Sequence, residues 1–320
     1  IYTSAMQGRA VGAILTHANL VGNALTGLPL SDLRRGDHML SLVPFSHAYG
    51  FTVGCLAPLA AGARVSAVGT FDPEKIFRLI NDDGITHIVG TPAVFDALLS
   101  HLVRRKLTLA RGTLRVSVCG GAPLRTDLQA RWMDATGLEL RQGYGLTEAG
   151  PVCLFNPVDQ PNRRGVLGVP YPGAEVSIRA AGSGDAVPVG ASGEICVRGP
   201  YVFAGYVSGA GLTQRDGWLY TGDIGQQRPD GSVVFEGVRK RMFTRFGFNI
   251  YPAELERVIA AMPGVSRVVI SGLPNPACEH DIVVAVSGDV SERAVRDWCA
   301  AHLSTYKRPT RIEIAAATPA

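Results

Sequence analysis

Residues 142–150, with the sequence QGYGLTEAG, carry the side chains best suited to chemistry in this chain. Glycines there allow a ligand to approach the backbone and permit positive φ, and the ring of Tyr144 can stack on a flat base. Thr147 can donate to a phosphate, and Glu148 can hold a hard cation beside it. These residue types favour a nucleotide site with a metal-bound phosphate. A tight strand-to-helix turn capped by Thr147 is the alternative, because short glycine motifs are weak signals.

Other polar residues also have two interpretations. Asp223 follows an aromatic-rich run and can accept hydrogen bonds from both ribose hydroxyls, or it caps a turn. His47 lies between aromatic residues and is either a structural histidine or a ring that orients a substrate. The pair Gly120 and Gly121 ends a predicted strand and is either a plain turn or a wall of a binding site. On the residues alone, Lys240 is an ordinary surface lysine in the short basic triplet at residues 239–241.

The elements that must position these residues alternate between helix and strand. Asp72 and Pro73 predict a helix start by their capping chemistry, and Thr91 with Pro92 predicts another. Strands are predicted at residues 85–89, 114–118 and 138–140, with a helix at 124–135. This repetition predicts an α/β fold with a parallel sheet, whose ligands gather at the carboxyl ends of the strands.

The second half of the chain has a different composition and residue pattern. Residues 165–239 are rich in glycine, proline and alternating β-branched residues, which predicts short antiparallel strands in a small, distorted barrel. From residue 240 the pattern predicts a compact α+β lobe, with helices opened by Pro252 and capped by Ser291. We therefore predict a large lobe over residues 1–239 and a small mobile lobe over residues 240–320.

Composition excludes several classes of protein. The chain has 320 residues, of which 46% are hydrophobic and 18% charged, which suits a packed core rather than disorder. The net charge of +4 comes without long basic blocks, so nucleic acid is a poor candidate partner, whereas a mild basic bias suits ATP and coenzyme A. No apolar run reaches membrane-spanning length. The six scattered cysteines predict a reducing, cytoplasmic location.

Several segments, in order, resemble the adenylate-forming superfamily of acyl-CoA synthetases, peptide-synthetase adenylation domains and luciferases. The wording is most similar to bacterial medium- and long-chain fatty acyl-CoA ligases, and the resemblance covers essentially the whole chain. The matching segments are residues 1–20 (phosphate loop and following helix), 44–50 (acyl-pocket gate), 119–123 (adenine turn), 142–150 (core signature), 193–206 (structural motif), 217–223 (ribose segment) and 247–256 (start of the mobile lobe).

The resemblance implies an AMP-forming ligase that converts a fatty acid and ATP to an acyl-adenylate, which coenzyme A then attacks. It implies that Glu148 binds Mg²⁺ and that the small lobe rotates about Lys240. The implied catalytic residues are Thr147, Glu148, His47 and Lys240. The implied nucleotide-binding residues are Thr3, Ser4, Gly8, Gly120, Gly121, Ala122, Gln142, Gly143, Tyr144, Gly145, Asp223 and Gly247. A longer protein is also implied, with a segment before Ile1 and a lysine motif after Ala320.

The sequence departs from the superfamily pattern mainly at ligand contacts. Val11 stands where the phosphate loop has a lysine, and Ala5, Met6 and Gln7 replace other expected residues. Val238 replaces an arginine near the ribose, and Phe246 replaces a glycine along the pantetheine tunnel. Three functions therefore remain open: a CoA ligase, an acyl-AMP ligase that loads a carrier protein, and a non-catalytic adenylate-binding relative. An unrelated nucleotide-binding scaffold is a remote fourth.

Overall fold

The structure, a computed structural model, describes residues 1–4, 10–109, 113–180, 183–207, 209, 214–238 and 243–315. It divides into two compact units. The first comprises Ile1 and Gly12–Arg239, and the second comprises Tyr2–Val11 and Lys240–Ala320. Residues 2–11 thus group with the second unit, whereas the sequence prediction placed them in the large lobe. The strands at residues 2–4 and 10–12 form a separate two-stranded sheet.

The helices have the following bounds: α1 (His17–Leu30), α2 (Ala48–Phe51), α3 (Ala57–Ala61), α4 (Pro73–Asp82), α5 (Pro92–Arg105), α6 (Thr126–Thr136), α7 (Pro252–Ala260) and α8 (Glu292–His302). One π-helical turn (Thr52–Leu56) joins α2 to α3, and single 3-10 turns occur at Thr147–Ala149 and Thr305–Lys307.

The strands have the following bounds: β1 (Tyr2–Ser4), β2 (Ala10–Gly12), β3 (His38–Ser41), β4 (Arg64–Ala67), β5 (His87–Gly90), β6 (Val116–Cys119), β7 (Leu140–Gly145), β8 (Val152–Phe155), β9 (Val169–Pro170), β10 (Glu175–Arg179), β11 (Ser192–Arg198), β12 (Gln214–Arg215), β13 (Trp218–Gln227), β14 (Val233–Val238), β15 (Phe243–Arg245), β16 (Phe248–Ile250), β17 (Val265–Asn275), β18 (Glu279–Gly288) and β19 (Arg311–Ala315).

The predicted parallel sheet of the first unit is confirmed. Its strand order is β4-β3-β5-β6-β7-β8-β9, and the first five of these strands run parallel. Strands β8 and β9 are antiparallel additions. The register pairs Gly90 with Cys119 and Cys119 with Gln142, so the carboxyl ends of β5, β6 and β7 meet at one edge. Ligand sites of open α/β sheets lie at such an edge.

The three central parallel strands β3, β5 and β6 are buried along their whole length, as expected for strands covered on both faces. Leu40 and Ile88 point into a cluster with Phe95 and Trp132, whose rings meet edge to face at 4.9 Å. The neighbouring residue Met39 belongs to the cluster on the opposite face. Because side chains alternate along a strand, one short apolar strand serves two cores. The edge that carries the candidate site is thereby anchored between two layers of helices.

Two helix starts show how far local capping chemistry extends. Asp72 caps α4 as predicted, because its Oδ1 accepts from the amides of Glu74 at 3.0 Å and Lys75 at 3.3 Å. Thr91 precedes α5 as predicted but makes no side-chain cap bond. The side-chain capping at Thr91 was therefore wrong, while the helix start was correct. Pro92, at the first position of α5, supplies the start with a fixed φ.

The predicted β-rich region is also confirmed as antiparallel strands. Strands β10, β11, β13 and β12 form a sheet in that order, and β14 pairs with β13. The sheet has register shifts between Glu194 and Cys196 and between Ile224 and Gly225. Such bulges bend a strand and re-aim its side chains. Asp223 lies beside the second bulge, opposite Val238 of β14.

The second unit is an α+β structure with its own core. Strands β17, β18 and β19 form a sheet in which β17–β18 is antiparallel and β18–β19 parallel. Helices α7 and α8 contribute Leu255, Ile259 and Val295 to its buried cluster. Ser291 caps α8 as predicted, since its Oγ accepts from the amide of Ala294 at 3.2 Å. Among the described helices of the chain, none has the length and apolar character needed to cross a membrane.

Candidate nucleotide site

A tight turn after β6 forms one wall of the sheet edge. The amide of Gly120 donates to the carbonyl of Gly90 at 3.1 Å, and Gly121 adopts a positive φ of 83°. A Cβ on Gly120 would lie 3.1 Å from the carbonyl oxygen of Gly143 and 3.5 Å from the ring of Tyr49. A side chain at position 120 would press on the carbonyl of Gly143 and would need a shift of a few tenths of an ångström in β7. The turn therefore favours glycine at 121 for its φ and a small residue at 120 for close packing.

Residues 142–145 extend β7 rather than forming a turn, because the strand runs from Leu140 to Gly145. The predicted strand at residues 138–140 was too short. Neither Gly143 nor Gly145 adopts the predicted positive φ; the left-handed glycine of the motif is Gly150, at 85°. Gly145 is required instead by close approach, since a Cβ would lie 1.8 Å from the carbonyl oxygen of Pro151. Strand pairing with β8 brings these backbones together.

Tyr144 of β7 and Asp223 of β13 form a direct side-chain pair. The hydroxyl of Tyr144 donates to Oδ2 of Asp223 at 2.7 Å. Burial raises the pKa of the Asp223 carboxyl to about 6, the Tyr144 hydrogen bond opposes that rise, and the charge of Glu194 adds to it. Burial, followed by the Asp223 charge, holds the pKa of Tyr144 well above its usual value. The pair thus joins a ring to a carboxylate that takes up a proton near pH 6.

Side chains of neighbouring residues hydrogen-bond to the backbone at Gly222 and Asp223. Glu194, which is buried, accepts the amide of Gly222 on Oε1 at 2.9 Å. Thr221 accepts the amide of Asp223 at 3.1 Å, and its hydroxyl donates to the carbonyl of Ile195 at 2.7 Å. These bonds fix the peptide groups on both sides of Gly222. They leave the carboxylate of Asp223 in a set orientation beside Tyr144.

Glu148 is a buried carboxylate in the 3-10 turn that follows β7. Its Oε1 accepts the hydroxyl of Tyr206 at 2.7 Å, and its carbonyl accepts the amide of Phe203 at 2.9 Å. Burial raises the pKa of Glu148, and the Tyr206 hydrogen bond lowers it in part. Thr147 precedes Glu148 in the same turn and is partly buried. A buried carboxylate that accepts a hydroxyl hydrogen bond has further acceptor capacity and is suited to an added cationic partner.

His47 caps the short helix α2. Its Nδ1 accepts the amide of Tyr49 at 3.1 Å, and burial lowers the pKa of the ring. A neutral imidazole that accepts at Nδ1 carries its proton on Nε2. Tyr49 in turn donates to the carbonyls of Val118 at 3.2 Å and Gly90 at 3.4 Å. These bonds tie the residue 47–49 segment to the ends of β5 and β6, beside the Gly120 turn.

Comparison with protein-family models now identifies the chain. Residues 1–207 match the model described as AMP-binding enzyme. The chain belongs to the AMP-binding enzyme family. This membership confirms the resemblance to adenylate-forming proteins that the motifs indicated.

Individual relatives agree with the family. A feruloyl-CoA synthase from Amycolatopsis sp is 35% identical over 321 residues, covering 98% of this chain and 65% of that protein. A long-chain-fatty-acid–CoA ligase from Yersinia pestis is 34% identical, covering 98% of this chain and 57% of that protein. The chain therefore spans less than two thirds of either relative. A malonyl-CoA ligase structure, a ternary product complex with methylmalonyl-CoA and AMP, is similar with a TM-score of 0.89 and 28% identity, covering 100% of this chain and 71% of that one.

The remaining predicted residues of this AMP-binding enzyme family member are divided between the two units and the residues outside the description. Thr3 and Ser4 belong to β1, and Gly247 belongs to the turn between β15 and β16, all in the second unit. The amide of Gly247 donates to Oε2 of Glu279 at 2.9 Å. Gly8 and Lys240 lie outside the described residues, as do Ala5, Met6 and Gln7. Gln142 is buried and its carbonyl accepts the amide of Asn156 at 3.1 Å; Ala122 is partly buried at the Gly120 turn.

A Mg²⁺ ion bound together with a nucleotide would need few protein ligands. Within the described ranges, no group of three or more histidine, cysteine, aspartate or glutamate side chains is arranged to hold a metal ion. Mg²⁺ usually takes one or two carboxylates and completes its shell with water and substrate phosphates. The single buried carboxylate of Glu148, next to the hydroxyl of Thr147, fits that donor set. A dedicated all-protein metal site is not needed for it.

The sequence did not indicate a functional role for three residues of the site. Tyr206 and Glu194 lie in motifs that were interpreted as structural, and Thr221 was passed over as part of the segment before Asp223. Their contacts reach 58 residues along the chain from Tyr206 to Glu148 and 28 from Glu194 to Gly222. The only local signal was that all three lie in superfamily-like segments. A buried glutamate in a strand, as at position 194, was the clearest hint of a partner.

Proposed function

We propose that the chain is an AMP-forming carboxylate–CoA ligase. The observation that carries this proposal is the Tyr144–Asp223 pair at the sheet edge, next in sequence to the buried carboxylate of Glu148. An aromatic ring joined to a fixed carboxylate suits a nucleoside, because the ring offers a stacking surface and the carboxylate accepts from vicinal hydroxyls. The family membership supports the same nucleotide.

In this proposal the adenosine half of the nucleotide lies between two walls. Tyr144 stacks on adenine, and the turn at residues 120–122 forms the opposite wall. Asp223 accepts from the ribose hydroxyls, with its carboxylate held by Tyr144 and its backbone held by Thr221. A ring that both stacks and fixes the ribose acceptor couples recognition of base and sugar.

The phosphate half of the nucleotide faces Thr147 and Glu148. Thr147 donates to a phosphate oxygen. Glu148 holds Mg²⁺, which would offset the phosphate charge. His47 accepts the Tyr49 amide on Nδ1, so its proton is on Nε2; its ring steers the geometry of the acyl carboxylate and the α-phosphate and does not act as a base. Catalysis rests on positioning and charge stabilisation.

The reaction has two steps. A carboxylate oxygen of the acid attacks the α-phosphorus of ATP, and the bond to pyrophosphate breaks. The small lobe then rotates about Lys240, after which the sulfur of coenzyme A attacks the acyl carbonyl and AMP leaves. A fatty acid is the substrate we favour, since the motifs are most similar to fatty acyl-CoA ligases and one relative at 34% identity is named as such. The feruloyl-CoA synthase relative makes an aromatic acid the first competitor.

A non-catalytic adenylate binder is the second candidate, and Val11 favours it. Val11 occupies β2 and lacks the positive charge that a lysine would bring to the phosphates. Such a protein would keep the adenosine contacts and lose the grip on pyrophosphate. A protein that loads a carrier-bound pantetheine remains a variant of the ligase, with a different thiol.

The test is pyrophosphate release from Mg-ATP across an acid panel of fatty acids of increasing length, ferulate and malonate. Each acid is assayed with coenzyme A and, separately, with hydroxylamine to trap acyl-adenylate. We expect release with at least one acid and loss of release in Asp223→Ala. Release with hydroxylamine but not with coenzyme A would favour another acceptor. AMP binding without release from any acid would replace the ligase by the binder.

A further inference from the structure

Tyr206 is the feature of the first unit that the reaction scheme leaves unused. Its hydroxyl donates to Oε1 of Glu148 at 2.7 Å. The same short segment also holds the backbone of Glu148, because the amide of Phe203 donates to the Glu148 carbonyl at 2.9 Å. Residues 203–206 thus hydrogen-bond to both the side chain and the main chain of Glu148.

The segment also pairs with the chain that follows β2. Tyr206 and Ala13 form an antiparallel bridge, and the amide of Val207 donates to the carbonyl of Gly12 at 2.9 Å. On the other side, the amide of Ile14 donates to the carbonyl of Gly205 at 2.9 Å. Backbone hydrogen bonds therefore fix the position of Tyr206 relative to residues 12–14. The hydroxyl of Tyr206, through its bond to Oε1, in turn positions the side chain of Glu148.

The ring of Tyr206 is held independently of its hydroxyl. It meets the ring of Phe203 edge to face at 4.8 Å and packs against a buried cluster that contains Ala149 and Leu219. Edge-to-face aromatic pairs are stabilising in their own right. Removing the hydroxyl alone should therefore leave the ring in place, so Tyr206→Phe removes the bond to Glu148 while the ring keeps its packing.

We propose that Tyr206 is a positioning residue, whose hydroxyl holds the Glu148 carboxylate in the orientation that receives the nucleotide-bound Mg²⁺. The inference rests on the proposed function, in which Glu148 takes that ion. Hydrogen-bond partners of metal ligands orient those ligands, and their loss typically lowers metal affinity by roughly 10-fold or more. The backbone pairing with residues 12–14 makes this orientation a property of the fold.

The test measures binding by calorimetry, without turnover. The ligands are AMP in EDTA and α,β-methylene-ATP with EDTA or with Mg²⁺. In the unaltered protein, Mg²⁺ should increase affinity for the ATP analogue. In Tyr206→Phe that gain should fall by about 10-fold, whereas AMP affinity should stay within about twofold. Replacing Tyr206 by p-aminophenylalanine, which keeps a donor at the same place, should restore the gain.

Tyr201→Phe is the matched control. It also removes a buried hydroxyl, which donates to the carbonyl of Pro172 at 2.7 Å and lies 2.8 Å from the hydroxyl of Thr26, and the Mg²⁺ gain should persist. An undiminished gain in Tyr206→Phe would overturn the proposal, as would equal losses for AMP and the analogue, or a variant that does not fold. An unaltered protein that shows no Mg²⁺ gain would instead refute the role of Glu148 itself, and with it both proposals.

Discussion

The hydroxyl of Tyr144 lies 2.7 Å from Oδ2 of Asp223, and this bond joins two strands that are 79 residues apart in sequence. Tyr144 extends from the parallel sheet, whereas Asp223 belongs to the antiparallel sheet. The contact therefore ties the two sheets of the first unit at the point where we place the adenosine. Its consequences for binding can be separated from the stacking role of the ring.

Removing only the hydroxyl of Tyr144 should weaken adenosine and AMP binding. Tyr144→Phe keeps a stacking ring but leaves the Asp223 carboxylate without its donor, a loss of about 1 kcal/mol, or roughly 5-fold in affinity. Tyr144→Ala, which removes the ring as well, should lose more. Titration calorimetry with adenosine measures both. Equal affinity in Tyr144→Phe and the unaltered protein would show that the hydroxyl does not serve the nucleoside.

Adenosine binding should weaken as the pH falls through about 6, the pKa that burial gives Asp223. Below that pH the carboxyl holds a proton and is a poorer acceptor for the ribose hydroxyls. Adenosine is the right probe because it lacks a phosphate that titrates in the same range. Asp223→Asn, whose amide does not titrate, should bind more weakly and with little dependence on pH between 5 and 8. A pH dependence that survives in Asp223→Asn would assign the titration to another group.

The same raised pKa predicts a stability effect of opposite sign. The folded carboxyl keeps its proton to about pH 6, while the unfolded one releases it near 4. Stability from this group is therefore present below pH 4 and is lost as the pH rises through 6. At pH 8 the cost is on the order of 3 kcal/mol. Asp223→Asn should then raise the melting temperature at pH 8, and this gain should vanish near pH 4. An equal gain in melting temperature at the two pH values would contradict the predicted effect of the raised Asp223 pKa.

Phe246 occupies a strained turn in the second unit. The two-residue turn between β15 and β16 has φ of 52° at Phe246 and 76° at Gly247, which is the type I′ pattern that favours Asn-Gly. The ring is 47% exposed and lies over the guanidinium of Arg245 at 5.3 Å. Phe246→Asn should stabilise the unit by about 0.5 kcal/mol, since strain relief exceeds the lost contact. Phe246→Val should destabilise it in the same urea titration.

The fold was largely predictable because its signals are local. Asp72 caps its helix through bonds to residues two and three positions away, and β3 is a short strand whose four residues are all buried. Thr91 shows the limit of such local signals: its residue type and the following proline predict a cap, yet its side chain makes no capping hydrogen bond. Gly145 shows another, because the residue that excludes a side chain, Pro151, approaches through strand pairing. Local rules specify which residue types occur and leave the partners open.

The candidate site was predictable as a set of residues and not as a set of contacts. Glu148 and Asp223 stood out by their position in glycine-rich segments. Their hydroxyl partners, Tyr206 and Tyr144, are 58 and 79 residues away along the chain, so only the tertiary fold brings each pair together. Neither the raised pKa of Asp223 nor the grip on Glu148 follows from the motif itself. Both depend on burial, which the motif does not specify.

The lobe rotation predicts unequal effects on the two half-reactions. Lys240 lies outside the described residues, so this prediction rests on the sequence. Lys240→Pro restricts φ and should slow thioester formation while leaving acyl-adenylate formation within about twofold, because a hinge must absorb a backbone rotation. Lys240→Ala, which keeps backbone freedom, is the control. Pyrophosphate release measures the first half-reaction and thioester yield measures the second. Equal losses in both would show that the hinge does not lie at this position.

Val11 decides between the two candidate functions. Without a lysine there, contacts to the β- and γ-phosphates should be weak, so AMP should bind at least as tightly as ATP. Val11→Lys adds a phosphate-binding charge and should raise the ATP affinity relative to AMP by about 5-fold, whereas Val11→Met, similar in length but uncharged, should not. In a ligase the lysine variant should also lower the KM for ATP in pyrophosphate release. In a non-catalytic binder it should tighten ATP binding without any release, and an unaltered protein that already binds ATP far more tightly than AMP would show that other groups hold the phosphates.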